Sequence, residues 1–155
     1  MRFEDFSFNQ IIEAGPYVMT EAEVVEFASR YDLQWFHTDP RAAAQGRWKG
    51  LIASGWHTCA IAMRLVCDAA LADSGSWGAP GLDYLKWPNP VRPGDALMLR
   101  ATVLDVRISN SRVRLGIVKW RWQLFRQDGD EVLDLVANSF FDVKSDNRSS
   151  APPPM

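Results

Sequence analysis

The residues best suited to do chemistry lie in one short segment, YDLQWFHTDP at positions 31–40. It contains His37, one of the two histidines of the chain, five residues after the carboxylate of Asp32. A carboxylate and an imidazole that converge can hold a water, with the Asp acting as general base and the His holding or relaying the proton. Residues five apart point about 140° apart on a helix and to opposite faces on a strand. The pair therefore converges only if this segment is irregular.

Simpler roles for the same residue types stay open. A loop Asp commonly forms an Asx turn or a helix cap, and a loop His commonly lies at the surface. Asp39 is explained by its place before Pro40, which predicts a helix N-cap followed by proline at the first helical position. If Asp32 is catalytic, the apolar side chains between it and His37 are expected to exclude bulk water and raise the basicity of the carboxylate.

A second candidate is the segment GLIASGWHT at 50–58, which opens a long apolar stretch. A glycine at the amino end of a buried helix, here Gly55, exposes backbone amides where the helix dipole is positive. Such amides can hold a carbonyl oxygen that gains negative charge. The same residues fit Ser54 as a helix N-cap and Gly55 as a close-packing residue. Ser54 is not expected to be a nucleophile, because Ile52 replaces the first glycine of the G-x-S-x-G motif.

The other histidine and the two cysteines favour structural roles. His57 falls on the first turn of the predicted helix, and we expect a hydrogen-bonded core histidine there. No H-x-x-x-H or C-x-x-C spacing supports a ligand set, so no metal is expected. Cys59 and Cys67 are about 12 Å apart along a helix, beyond disulfide reach. Both are expected to be reduced core residues.

Hydrophobic periodicity predicts two main helices followed by strands. Thr20 and Glu23 form a capping box, which predicts a helix through about Arg30, and residues 31–38 are predicted to be a loop. A long helix beginning near Ser54 is apolar nearly all round, so something must wrap it. The later segments are rich in aliphatic residues and turn signals, which predicts antiparallel strands. These strands are expected over residues 82–87, 96–108, 112–126 and 131–143.

One long buried helix and a run of long strands predict an α+β fold, with a curved antiparallel sheet wrapped round the helix. Residues 1–144 are expected to form this single domain, and the Pro-rich tail at 145–155 to be disordered. A fold made of one sheet and one helix layer leaves an edge of the sheet and one face of the helix uncovered. Pairing with a second subunit is therefore expected.

Charge and hydropathy exclude several classes of function. The chain has 155 residues, 17 basic and 19 acidic side chains and a formal charge of −2. It has no Lys/Arg cluster of the kind that binds phosphate backbones, so nucleic-acid binding is not expected. The N-terminus lacks the apolar core of a secretory signal, and residues 51–71 hold too many polar groups for a membrane span. We therefore expect a cytoplasmic protein without a membrane partner.

Three segments in order resemble the MaoC-type dehydratases, relatives of the (R)-specific enoyl-CoA hydratases. They are the segments at 31–40 and 50–58 and the segment PVRPGD at 90–95. The resemblance runs over most of residues 3–143. It implies the hot-dog fold, in which a curved antiparallel sheet wraps a long central helix, usually in dimers, and so a homodimer or a higher homo-oligomer.

The resemblance also implies an activity, the reversible addition of water across a trans-2-enoyl thioester. The substrate is usually a coenzyme A thioester, as in fatty acid metabolism, and no metal or redox cofactor takes part. The family's catalytic Asp and His map onto Asp32 and His37. The backbone amide that polarises the thioester carbonyl maps onto Gly55, with Ser54 beside it.

This chain departs from the family pattern at three positions. Gln34 and Trp35 stand where the family often has Asn and Pro, and Ser54 stands where it often has His. Two other functions stay open in the same fold. One is an acyl-CoA thioesterase in which Asp32 activates water toward the carbonyl, and the other is a non-catalytic acyl-thioester-binding subunit whose site Trp35 blocks. Candidate partners of coenzyme A phosphates are Arg47, Lys86 and Arg92.

Overall fold

A six-stranded antiparallel sheet curves round one long helix in the computed structural model, which describes residues 1–144. The strands are β1 Ile11–Val18, β2 Ser76–Gly78, β3 Leu82–Lys86, β4 Ala96–Ile108, β5 Leu115–Phe125 and β6 Glu131–Asp142. Their order across the sheet is β1-β4-β5-β6-β2, and β3 also pairs with β6. The predicted α+β class is confirmed. The tail at 145–155, predicted to be disordered, lies outside the described residues.

The helices precede most of the sheet in the chain. They are α1 Glu21–Tyr31, α2 Trp35–Thr38, α3 Pro40–Gln45 and α4 Gly55–Val66, and α4 continues as a π-helical segment over Cys67–Leu71. Within residues 1–144, every helix is too short or too polar to cross a membrane.

Local sequence signals explain where α1 and α3 begin. The Thr20 hydroxyl accepts from the Glu23 amide at 3.2 Å, and the Glu23 carboxylate accepts from the Thr20 amide at 3.3 Å. This is the predicted capping box. Asp39 caps α3 by accepting at 3.0 Å from the amides of the second and third residues after it. Both predicted caps are confirmed.

Helix α4 is the centre of the core. Its Ile61, Ala62, Leu65 and Val66 are buried and belong to one apolar cluster with the inward side chains of β4, β5 and β6. Burying an aliphatic side chain of this size contributes about 1.5–3 kcal/mol, so the helix is held by the sheet that wraps it. Cys59 and Cys67 are both free and half-buried.

Two tryptophans of β5 fill the space between helix and sheet. Trp120 is fully buried, and its indole N–H donates to the Ser139 hydroxyl at 3.0 Å. Trp122 packs edge-on against it, with ring centroids 5.3 Å apart. Their alternation along the strand predicts packing positions, and the structure confirms this.

Strand β1, over residues 11–18, is not predicted by its sequence pattern, and it pairs with β4. This strand lies at the sheet edge and alternates between exposed and half-buried residues. Glu13, Gly15 and Pro16 weaken the strand signal, and proline is tolerated only because an edge strand need not donate on both sides. The pairing with β4, not local propensity, stabilises β1.

His57 is a buried histidine that connects α4 to α1. Its ring stacks on Phe27 with centroids 4.6 Å apart and planes inclined by 8°. Its Nε2 lies 3.6 Å from Glu23 Oε1, and its Nδ1 is buried without a hydrogen-bond partner. The prediction of a structural histidine is therefore right, but the predicted hydrogen bond is not formed. Burial lowers the pKa of His57 below the ordinary 6.5, although the Glu23 carboxylate acts in the opposite direction.

His57 makes folding stability depend on pH. Because the pKa of its imidazole is lower in the folded protein, the unfolded chain binds the extra proton, so the free energy of unfolding falls as pH drops below about 6.5. We expect His57→Phe, which keeps the stacking on Phe27, to flatten this part of the profile. Urea denaturation between neutral pH and pH about 5 measures it. Equal slopes for the variant and the native chain over that range would contradict the assignment.

Candidate functional site

The end of α1 places Asp32. The helix stops at Tyr31, and Asp32 follows as its C-cap residue, with its amide donating to the Ala28 carbonyl at 2.9 Å. One carboxylate oxygen, Oδ2, accepts from the Ser54 hydroxyl at 2.7 Å. A helix-capping role for Asp32 is thus real, but its side chain reaches across to the start of α4.

A helical turn, not an open loop, brings His37 to Asp32. Residues 35–38 form α2, so the predicted loop over 31–38 is partly wrong. The Gln34 amide donates to the Asp32 carbonyl at 2.7 Å, and this tight turn breaks the path of the chain between α1 and α2. The irregularity that convergence requires is therefore present, and His37 Nε2 lies 3.3 Å from Asp32 Oδ2.

A hydrogen bond of His37 determines which of its two ring nitrogens faces Asp32. The side chain is buried, and Nδ1 lies 2.7 Å from the Ile52 carbonyl oxygen. A carbonyl only accepts, so Nδ1 carries a proton and donates to it. Nε2 is then the nitrogen that takes or gives a proton, and it faces Asp32.

The environment of Asp32 favours the ionised carboxylate. Burial raises the pKa of Asp32, but hydrogen bonds from Ser54 and from the Gln34 side chain, the latter at 2.7 Å to Oδ1, together with the charge of His37, outweigh burial. The pKa of Asp32 is therefore below its ordinary value. The expectation that an apolar wall raises its basicity is wrong, because two hydrogen-bond donors contact the carboxylate directly.

Ser54 occupies the N-cap position of α4 without capping it by its side chain. Its hydroxyl is used for Asp32 instead. Gly55 is the first residue of α4, so its N–H has no intrahelical acceptor. That N–H belongs to the positive end of a 12-residue helix dipole.

Gly55 also lies under the ring of Trp87. A Cβ built on Gly55 would stand 2.6 Å from Trp87 Cε2, closer than nonbonded carbons approach. The indole can therefore pack on the helix terminus only because residue 55 is glycine. The close-packing alternative for Gly55 is therefore confirmed, and the role of its amide as an oxyanion donor stays a prediction.

A cavity of about 540 Å³ contains these groups. Its polar lining includes Asp32, Gln34, His37 and Asn89, and its apolar walls include three tryptophans. The three are Trp48, Trp56 and Trp87. Sequence reasoning missed Trp87 and Asn89 as site residues, because the extended segment that carries them reaches α4 only through the pairing of β3 with β6.

Trp35 lies outside this cavity. Its ring packs against Gly46, where an added Cβ would collide with it, and edge-on against Phe36. The cavity is lined by other residues of the described chain. The binding-subunit alternative, in which Trp35 blocks the site, is therefore not supported by the structure.

Arg92, a candidate phosphate partner, is used to hold the loop beside the cavity. Its guanidinium donates to the Trp48 carbonyl at 2.6 Å and to the Leu51 carbonyl at 3.5 Å. Among residues 1–144, no group of three or more His, Cys, Asp or Glu side chains is arranged to hold a metal ion.

Comparisons with known proteins agree on one family. A model of the MaoC like domain matches residues 7–120. The chain is 28% identical over 118 residues to the uncharacterised protein YdeM of Bacillus subtilis, covering 76% of this chain and 82% of that protein.

Solved structures carry the same fold. A MaoC-like dehydratase from Rhodospirillum rubrum is 36% identical, with a TM-score of 0.82, and the match covers 91% of this chain and 96% of that one. The R-hydratase PhaJ1 from Pseudomonas aeruginosa is 22% identical, with a TM-score of 0.73, and the match covers 99% and 94% of the two chains. The hot-dog fold is thereby confirmed. The chain belongs to the MaoC-like domain family.

Proposed function

We propose that the protein is a hydratase that adds water reversibly to a trans-2-enoyl thioester. The observation that carries this proposal is the meeting of Asp32 Oδ2 and His37 Nε2, 3.3 Å apart, in a cavity that also contains Gly55. The names of its structural neighbours, a MaoC-like dehydratase and an R-hydratase, support the same reaction class. Coenzyme A is the proposed thiol carrier.

The forward reaction begins with water held between the two side chains. The ionised Asp32 accepts a proton as the water oxygen bonds to C3 of the enoyl group. The electron pair of the C2–C3 double bond moves toward the thioester carbonyl, which becomes an enolate oxygen. His37, protonated on Nε2, then donates its proton to C2. Asp32 has then gained one proton and His37 has lost one. Transfer of a proton from Asp32 to His37 restores the starting state of the site.

The Gly55 N–H is proposed to hold the enolate oxygen. A backbone donor at a helix terminus is already oriented, so it needs no reorganisation when negative charge develops. Ser54 acts on Asp32 and not on the substrate. Its hydroxyl donates to the Asp32 carboxylate, which favours the ionised form and holds the side chain toward the cavity. The mechanism requires neither a metal nor a redox cofactor.

Oligomeric state and compartment stay predictions. The edge strands β1 and β2 leave the sheet open, and a homodimer would cover one of these edges. A cytoplasmic location follows only from the sequence pattern. Neither enters the proposed mechanism.

The first test replaces each member of the pair. Asp32→Asn and His37→Asn are each expected to lower turnover by about 100-fold or more, because each removes a group that must move a proton. Loss of the enoyl-thioester absorbance on crotonyl-CoA and longer 2-enoyl-CoAs measures hydration. Thr38→Ala, which removes a half-buried hydroxyl beside His37 that bonds the Gln34 carbonyl and not the pair, is the matched control and is expected to retain activity.

A thiol reagent added to the same reactions distinguishes the alternative reactions. Release of free thiol by the native protein, with no hydration, would establish a thioesterase instead. An undiminished hydration rate in either variant would reject the role assigned to that residue.

The second test concerns the hydroxyl that contacts Asp32. Because the Ser54 hydrogen bond lowers the pKa of Asp32, Ser54→Ala is expected to raise that pKa. Asp32 must be ionised to accept a proton, so the acidic limb of the kcat/KM profile should move to higher pH. Ser54→Thr keeps a hydroxyl and is expected to leave the limb near its native position. An unmoved limb in Ser54→Ala, or a shift to lower pH, would contradict this account.

A further inference from the structure

A second cavity, of about 500 Å³, lies between α4 and the sheet. Its lining is almost wholly apolar and includes Cys59 and Met63 of α4 together with Leu82, Leu85 and Leu135 of the strands. It contains none of the groups assigned to the reaction. An apolar cavity of this size suits a hydrocarbon chain.

Trp56 is the one residue of the described chain that lines both cavities. Its indole packs edge-on against Trp87, with ring centroids 5.3 Å apart. Trp87 lies on Gly55 and lines the cavity of the proposed reaction site. The Trp56 ring, backed by Trp87, therefore forms the wall between the proposed reaction site and the apolar cavity.

The two side chains at this wall, Trp56 and Trp87, differ in how much of their surface is packed against other residues. Trp87 packs on Gly55 and is 42% exposed. Trp56 is 60% exposed, and its ring packs on Trp87. Removing the Trp56 indole would open the wall without taking away a buried core residue.

We propose that Trp56 determines the length of the acyl chain that the enzyme accepts. This inference rests on the proposed hydratase function. With the indole in place, the thioester acyl group is confined to the cavity that holds Asp32 and His37, so short chains are preferred. Without it, the chain extends into the second cavity, where each buried methylene strengthens binding about fourfold.

The test compares kcat/KM along a series of 2-enoyl-CoAs from four to twelve carbons. The native enzyme is expected to prefer the short members. Trp56→Ala is expected to raise the ratio of ten-carbon to four-carbon kcat/KM by about tenfold or more. Trp56→Phe, which leaves a smaller ring in the wall, is expected to lie between the two.

A second substitution checks where the longer chain goes. Met63 lines the apolar cavity and stays away from the proposed reaction site. Adding Met63→Trp to Trp56→Ala refills that cavity, and the gain on ten-carbon substrate should disappear. A chain-length profile that is the same in the native enzyme and in Trp56→Ala overturns the proposal. So does a gain that survives Met63→Trp.

A binding measurement separates this proposal from the proposed function. Calorimetry with butyryl-CoA and decanoyl-CoA reports chain length without turnover, and Trp56→Ala should gain affinity for decanoyl-CoA relative to butyryl-CoA. If no enoyl-CoA is hydrated but this gain is seen, the hydratase function fails and the chain-length role stands. If hydration occurs and the relative affinity is unchanged, the chain-length role fails alone. Light scattering on the same samples detects the remaining outcome, in which Trp56→Ala changes only the oligomeric state, and that outcome also rejects the proposal.

Discussion

The hydrogen bond from Ser54 to Asp32 is the constraint on which the rest of the site depends. It joins the residue that follows α1 to the residue that precedes α4, at 2.7 Å and with Ser54 fully buried. Because Gly55 follows Ser54 directly, one contact positions both the proposed base and the proposed oxyanion donor. His37 is joined to the same place through the Ile52 carbonyl, two residues before Ser54. A displacement of α1 against α4 would therefore move all the proposed catalytic groups relative to one another.

This way of holding Asp32 lowers the affinity of its carboxylate for a proton, which limits how the proposed reaction can work. Hydrogen bonds from Ser54 and Gln34 stabilise the ionised form more than burial destabilises it. A carboxylate of low pKa gains little by taking a proton from free water. It acts efficiently only when the new C–O bond forms as the proton leaves and when a nearby acid completes the addition. The 3.3 Å separation from His37 Nε2 meets that requirement. Positioning, more than basicity, is the contribution of this site.

Much of the fold and part of the site could be predicted from the sequence. The capping residues of α1 and α3, the start of α4 at Gly55 and the span of β4 follow from local signals. The direction of the Asp32 pKa could not be predicted, because it depends on Ser54, 22 residues away in the chain. Whether Trp35 blocks the site could not be decided from the sequence for a similar reason, since its ring packs on Gly46. Strand β1 could not be predicted, because its pairing with β4 and not its local sequence stabilises it.

Two tryptophans have separate proposed roles: Trp87 packs beside the reacting groups, and Trp56 limits the size of the acyl group. Trp87 can lie on the amino end of α4 only because Gly55 lacks a side chain, so an apolar ring borders the N–H that is proposed to hold the enolate oxygen. A fixed N–H donor beside apolar groups stabilises a developing charge more than a donor in bulk water does. Trp56 has no role in the proposed proton transfers, yet it borders both cavities. Its size can therefore change without altering the chemistry at Asp32 and His37, so a fold that keeps one reaction can admit different acyl groups.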